Sequence, residues 1–176
     1  MEKPERQIVE LIRSLRHEWM NQLHLLKANL SLKKYDRAEQ IIDDIIERAK
    51  QEARLTNLNA PKLAALLLTY NWKSRPLRLE IEAVDSEADW SALDDDLTDF
   101  VQAMIDAFER SVAPFGNHVL TFSIKSDGGR SFLALRFTGE IRDFFPIEER
   151  LDRLNQTLRL VEKYMQTRCA VFVFAV

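Results

Sequence analysis

A single cysteine, Cys169, stands among the 176 residues, so the chain can build no disulfide framework of its own and suits a reducing compartment. Glycine is nearly as scarce, with four in all, and the one cluster, Asp127-Gly128-Gly129, falls between two expected strands rather than ahead of a helix. Phosphate-binding loops need their glycines at a strand-to-helix turn, where backbone amides can close on the anion. This cluster reads instead as a hairpin turn. No apolar run approaches the roughly 18 to 20 residues of a membrane span, and Met1-Glu-Lys-Pro-Glu-Arg6 is too charged for a signal peptide. The expectation is a cytoplasmic protein with no membrane partner. Charge of either sign is also lacking in excess: the net charge is -3, and residues 1–58 hold 11 Lys and Arg against 10 Asp and Glu. No basic footprint for nucleic acid results, so none is expected as a partner.

What is present is an ordinary globular balance, 46% hydrophobic and 30% charged, which argues against disorder. The length holds one domain, or a helical module joined to a small second domain. No glycine or proline interrupts residues 5–58. Within that stretch Ile8, Ile12, Leu15, Trp19, Leu23, Leu26 and Leu30 recur at helical spacing, so one helix is predicted over 5–31. Taking about 100° per residue, His17 points about 160° away from the centre of that stripe and shares its face with Arg13, Asn21 and His24. A break at Ser31-Leu-Lys-Lys-Tyr35 precedes a second helix, for which Asp36 is the expected N-cap and Glu39 completes a capping-box spacing. Ala38, Ile41, Ile42, Ile45, Ala49 and Ala53 form its apolar side. Two such helices make an antiparallel hairpin, which cannot enclose a core and needs a partner surface. A second copy, closing a four-helix bundle about a two-fold axis, is the expected supply; packing on the chain's own C-terminal half is the alternative.

The chain divides near Asn57-Leu-Asn-Ala-Pro61, giving domains 1–58 and 59–176. Residues 61–72 read as a buried helix, and Leu77-Arg-Leu-Glu-Ile-Glu-Ala83 alternates with the period of a half-buried strand. A helix is predicted over 95–111 from Leu97, Phe100, Val101, Met104, Ile105 and Phe108. His118–Lys125 and Ser131–Phe137 read as strands of a hairpin. Pro146–Met165 is predicted as the last helix and 169–176 as the last strand. The fold class is α+β, a helical hairpin followed by a helix-covered, mostly antiparallel sheet.

Candidate chemistry narrows to one side chain. His17-Glu18-x-x-Asn21 resembles a zinc-peptidase motif only superficially, since asparagine stands where the second imidazole belongs and His24 comes only at i+7. No metal is expected. No Gly-x-Ser-x-Gly elbow is present, and Cys169 lies in an apolar strand. The acidic runs Asp43-Asp44 and Asp94-Asp95-Asp96 read as solvated faces or helix N-termini. His17 remains, on a side of its helix where packing does not require it. An imidazole can be neutral and nucleophilic near pH 7 and can carry a phosphoryl group on nitrogen. Glu18 is expected to accept a hydrogen bond from the other ring nitrogen and fix the tautomer. Arg13 and Arg16 offer positive charge to a phosphoryl group, and Asn21 offers hydrogen bonds. An incidental surface histidine is the competing reading.

The strings Arg16-His17-Glu18-Trp19-Met20-Asn21, Asn29-Leu-Ser-Leu32, Lys34-Tyr-Asp-Arg37 and Asn71-Trp72-Lys73 resemble the sporulation initiation phosphotransferase B family of spore-forming bacteria. The resemblance implies a homodimeric four-helix bundle with His17 as the phospho-accepting histidine. It also implies a C-terminal domain similar to the ATPase domain of histidine kinases but lacking its catalytic boxes. Asp106 stands where such kinases carry a magnesium-binding asparagine, and Phe137-Thr-Gly-Glu-Ile-Arg-Asp143 replaces an Asp-x-Gly-x-Gly box. Glu18 stands where the family commonly has aspartate. The implied activity is a relay: a single-domain response regulator gives a phosphoryl group to His17, which passes it to a sporulation transcription factor of the response-regulator class. Partner contacts are then expected at Arg13, Met20, His24 and Leu25, with Mg2+ held by the regulator and no cofactor bound by this chain. An ATP-dependent histidine kinase of the citrate/malate class and a non-catalytic dimeric module are the competing functions.

Overall fold

Twenty-eight residues whose one proline stands at the very start, where a helix tolerates it, give α1, Pro4–Ser31, and a run free of glycine and proline gives α2, Tyr35–Thr56. The computed structural model describes residues 4–73, 75–85, 89–154 and 157–176. Between the two helices Lys33 adopts φ 56°. The amide of Lys34 donates to Asn29 O and that of Lys33 to Leu30 O, the paired bonds of a Schellman stop with lysine in the place glycine usually takes. That stop makes Lys34 the residue flanking α2, since its carbonyl accepts from Ala38 N at 3.0 Å. Asp36 therefore lies inside the first turn rather than at the N-cap. There it still meets the positive end of the helix dipole.

The chain divides into two compact units, Met1–Lys50 and Gln51–Val176. In the first, Ala38 and Ile41 of α2 are buried, while Ser14, Gln22, Leu26 and Asn29 of α1 are half-buried. The remainder of the α1 stripe stays open. Ile8, Ile12, Trp19, Leu23 and Leu30, with Ile42 and Ile46 of α2, are 42% to 56% exposed.

The second unit takes in the last turns of α2, where Gln51 and Leu55 are buried, and the turn after it, where Leu58 is buried. It continues with α3 (Pro61–Thr69), a 3-10 turn at Tyr70–Trp72, β1 (Leu77–Asp85) and α4 (Asp94–Ser111). β2 (His118–Asp127), β3 (Arg130–Thr138), α5 (Phe145–Asp152), β4 (Arg159–Met165) and β5 (Cys169–Ala175) complete it. The sheet order is β1-β2-β3-β5-β4. Among the described residues only β1 and β2 run parallel, which requires a crossover, and α4 supplies it. Gly128 and Gly129, both at positive φ, make the tight β2–β3 turn expected of them.

One face of this sheet is the core. Phe122 of β2, Leu135 of β3 and Phe172 of β5 lie in register across it and are at most 1% exposed. Helix α4 covers them, with Phe100 edge-on to Phe174 at 4.8 Å and Phe108 stacked on Phe137 at 5.0 Å. The edge strand β1 is guarded by side chains. Asn71 gives Nδ2 to Leu79 O at 2.7 Å and takes Leu79 N–H at 2.9 Å, while Gln51 Oε1 accepts from Val84 N at 2.8 Å. These amides stand in for a missing neighbouring strand.

The largest departure from the sequence reading is the predicted helix Pro146–Met165. It ends at Asp152, and Arg159–Met165 is β4, antiparallel to β5; Asn155 and Gln156 of that stretch lie outside the described residues. Leu151, Leu154, Leu158 and Met165 repeat at helical spacing, but β4 is an edge strand exposed along most of its length. It therefore lacks the alternation that marks a half-buried strand.

Candidate functional site

Residues 13–25 form three and a half turns in the middle of α1. Arg13, Arg16, His17, Glu18, Met20, Asn21, His24 and Leu25 are all exposed there. Helical periodicity brings Arg13, His17, Asn21 and His24 into one line on one face, with Met20 and Leu25 on its flanks. Trp19 is also exposed, but on the apolar side. The imidazole of His17 thus faces solvent beside a guanidinium one turn before it and a carboxamide one turn after. This is an open, cationic strip rather than a pocket, suited to a reacting group presented by another molecule.

Glu18 does not do what the sequence suggested. Neighbours one apart on a helix differ by about 100° and do not face each other. The hydrogen bond made by the Glu18 carboxylate crosses the hairpin instead, accepting from Arg48 Nη1 at 2.8 Å. Arg48 is the residue that sequence reasoning missed. A signal existed: Glu18 and Arg48 lie at equal distances from Lys33, so an antiparallel hairpin turning there sets opposite charges across from each other. Asn29 is not part of the strip, since its Nδ2 donates back to Leu25 O at 2.8 Å.

The third histidine is structural. His118 is buried; its Nε2 donates to Ala113 O at 3.1 Å, and its Nδ1 accepts the Glu140 amide at 3.2 Å. Both bonds together require the neutral ring. Gly139, at φ 151°, packs so closely that a Cβ would sit 2.4 Å from His118 Nδ1. The glycine of Phe137-Thr-Gly-Glu-Ile-Arg-Asp143 therefore makes room for an imidazole. Asp106 is exposed on α4 and accepts from Gln102 Nε2 at 2.7 Å. Among the described residues no group of three or more His, Cys, Asp or Glu is gathered to hold a metal ion. None of their helices is long and apolar enough to cross a membrane.

The remaining charged clusters hold the second unit together. Asp94, buried at the start of α4, accepts from the amides of Lys62 and Leu63 at 3.0 and 2.9 Å and so caps α3 from outside. Tyr70 donates to Glu109, which also takes Arg75 Nη1 at 2.9 Å, and Arg75 lies over the Tyr70 ring at 4.6 Å. Burial, and then the bond to Glu109, push the Tyr70 hydroxyl well above its ordinary range.

Two family models cover nearly the whole chain: a sensor kinase SpoOB-type alpha-helical domain over residues 1–58, and sporulation initiation phosphotransferase B, C-terminal, over residues 59–174. A relative, sporulation initiation phosphotransferase B of Bacillus subtilis (strain 168), is 37% identical over 139 residues, which are 78% of this chain and 72% of that one. Among solved structures, the histidine kinase AdeS of Acinetobacter baumannii is 12% identical over 91% of this chain and 96% of its own, at a TM-score of 0.42. The histidine kinase domain of a blue-light activated kinase from Erythrobacter litoralis is 9% identical over 68% of this chain and 64% of its own, at 0.47. Both structural likenesses are distant.

Proposed function

The chain belongs to the sporulation initiation phosphotransferase B family, and from that premise we propose that it relays a phosphoryl group through His17 between two response regulators in the cytoplasm. The observation that carries this reading is the exposed imidazole in line with Arg13, Asn21 and His24 on α1, on the side away from the apolar stripe. The donor is the aspartyl-phosphate of a single-domain regulator, and the acceptor is an aspartate of a sporulation transcription factor.

In the first transfer the lone pair of an imidazole nitrogen attacks phosphorus in line. The bond from phosphorus to the aspartate oxygen breaks with its electron pair, and the other ring nitrogen gives up its proton to water. Phosphoryl transfer passes through a loose transition state, so the contribution of the protein is positioning and charge. Arg13 and Arg16 supply positive charge to the phosphoryl oxygens, and Asn21 supplies hydrogen bonds. Met20, His24 and Leu25 flank His17 as contacts for the regulators. Mg2+ arrives in the regulator's acidic pocket.

Two copies of the hairpin close a four-helix bundle through the exposed stripe, which supports the dimer because monomers rarely leave apolar patches beyond a few hundred Å2 in water. The test mixes the protein with a response regulator carrying labelled aspartyl-phosphate. Label should reach wild-type protein and be lost from His17→Gln. Labelling from ATP and magnesium alone, with no regulator present, would overturn the relay in favour of a kinase.

A further inference from the structure

The ion pair between Glu18 and Arg48 is unexplained by packing. Its side chains are 48% and 40% exposed, and pairs this wet contribute almost nothing to stability. Its placement is informative, because Glu18 follows the phosphoryl-accepting histidine directly. A carboxylate free to swing there lies within the screening length of about 8 Å at physiological ionic strength and would repel an arriving phosphoryl anion. Arg48, one helix away, draws that carboxylate off the strip of Arg13, His17 and Asn21 and cancels its charge.

We propose that Arg48 is a positioning residue for the loading of His17: it holds Glu18 across the hairpin so that the approach to the imidazole stays cationic. The proposal rests on His17 being the acceptor. Sequence neighbours give it independent support. Asp43, Asp44 and Glu47 precede Arg48 on the same helix, and Glu47 pairs with Lys50 at 3.6 Å, while Arg48 is set opposite the one acidic residue of Arg13–Asn29.

The test uses the full chain and potassium phosphoramidate, a small anionic donor, with the site of phosphorylation mapped by mass spectrometry. In that reaction the donor's nitrogen–phosphorus bond breaks, ammonia leaves with the electron pair, and a nitrogen–phosphorus bond to His17 forms. Arg48→Ala should slow loading of His17 about three- to tenfold at low salt, the range in which local charge alters encounter with an anion. The defect should shrink in 1 M salt, and Arg48→Lys should recover most of the rate. In the double variant R48A/E18Q the released carboxylate is gone, and the rate should return towards wild type.

A merely structural role would not respond to salt or to loss of the Glu18 charge. An unchanged rate in Arg48→Ala, or a defect equally large in the double variant, overturns the proposal. Unfolding midpoints of the three variants serve as the control for folding. Failure of the relay itself is distinguishable: His17 that loads normally from phosphoramidate but never exchanges phosphoryl with a regulator overturns the function and leaves the local field as measured. If phosphoryl maps to His24 and never to His17, both fall.

Discussion

At the scale of single residues, the three histidines show how one side chain takes its role from its surroundings. His17 and His24 stand in solvent on one line of α1, whereas His118 spends both ring nitrogens on backbone groups. The closeness of Gly139 to His118 is a direct test of that second role. Gly139→Ala places a methyl 2.4 Å from Nδ1 and 2.8 Å from Phe137 Cζ at a left-handed φ, and overpacking with backbone strain of this kind costs about 3 kcal/mol. Urea denaturation should show it, and adding His118→Ala should recover part of the loss, since the two sites share one contact. Tyr70 gives a second test, by pH. Its hydroxyl is raised above the ordinary value of about 10 by burial and by Glu109, so the folded chain holds that proton more tightly than the unfolded one. The stabilisation is complete below about pH 10 and is lost as the pH rises beyond it. Stability measured between pH 8 and pH 11 should therefore fall more steeply in wild type than in Tyr70→Phe.

At the scale of elements, the two units were unequally legible, and the reason is how each element is buried. Helices α1, α2 and α4 carry their apolar residues on one side, so the 3.6 period stands in the sequence, and the ranges 5–31 and 95–111 lie within a residue of α1 and α4. In β2 apolar Leu120, Phe122 and Ile124 alternate with polar Thr121 and Ser123, although both sets are buried, and β3 and β5 alternate between buried and more exposed positions. The edge strand β4 has neither signature, and helical spacing among Leu151, Leu154 and Leu158 hid the strand behind α5. Side chains that finish an element from far away were equally silent. Asp94 read as an acidic helix start, which it is, but its two carboxylate oxygens also cap α3, more than thirty residues earlier. Asp94→Ala takes the partner from the buried amide of Leu63 and from the part-buried amide of Lys62, at a cost of about 2 kcal/mol. Amide exchange at Lys62 and Leu63 should quicken well beyond that at the core strands, because the loss is local to the start of α3. The guards on β1 follow the same logic, since Asn71 belongs to a string noticed for its resemblance and turns out to complete a sheet edge.

At the scale of the whole molecule, the second unit buries a complete core of its own, from Leu55 and Leu58 to Phe174, while the first unit leaves Ile8, Ile12, Trp19, Leu23 and Leu30 in water. The same helix therefore presents two unlike faces, a cationic strip around His17 and an apolar stripe turned away from it. Under the proposed relay only the stripe calls for a second copy, while the strip stays open for a regulator. These demands can be separated by substitution. Ile12→Glu combined with Leu23→Glu adds charge to the stripe of each copy and leaves Arg13, His17, Asn21 and His24 unaltered. Light scattering on the wild type should give twice the 20.6 kDa of one chain, and the double variant should fall to the single mass, since burying four like charges in a two-fold interface is strongly unfavourable. Circular dichroism should keep the sheet signal of the second unit, whose core makes no use of the stripe, while the helical signal of the hairpin weakens for want of tertiary packing. Transfer from a phosphorylated regulator should drop along with the helical signal, because His17 is held in line with its neighbours only while α1 is folded. A wild-type protein of single mass, or a charged variant that still sediments as a pair, contradicts the stripe as the dimer face.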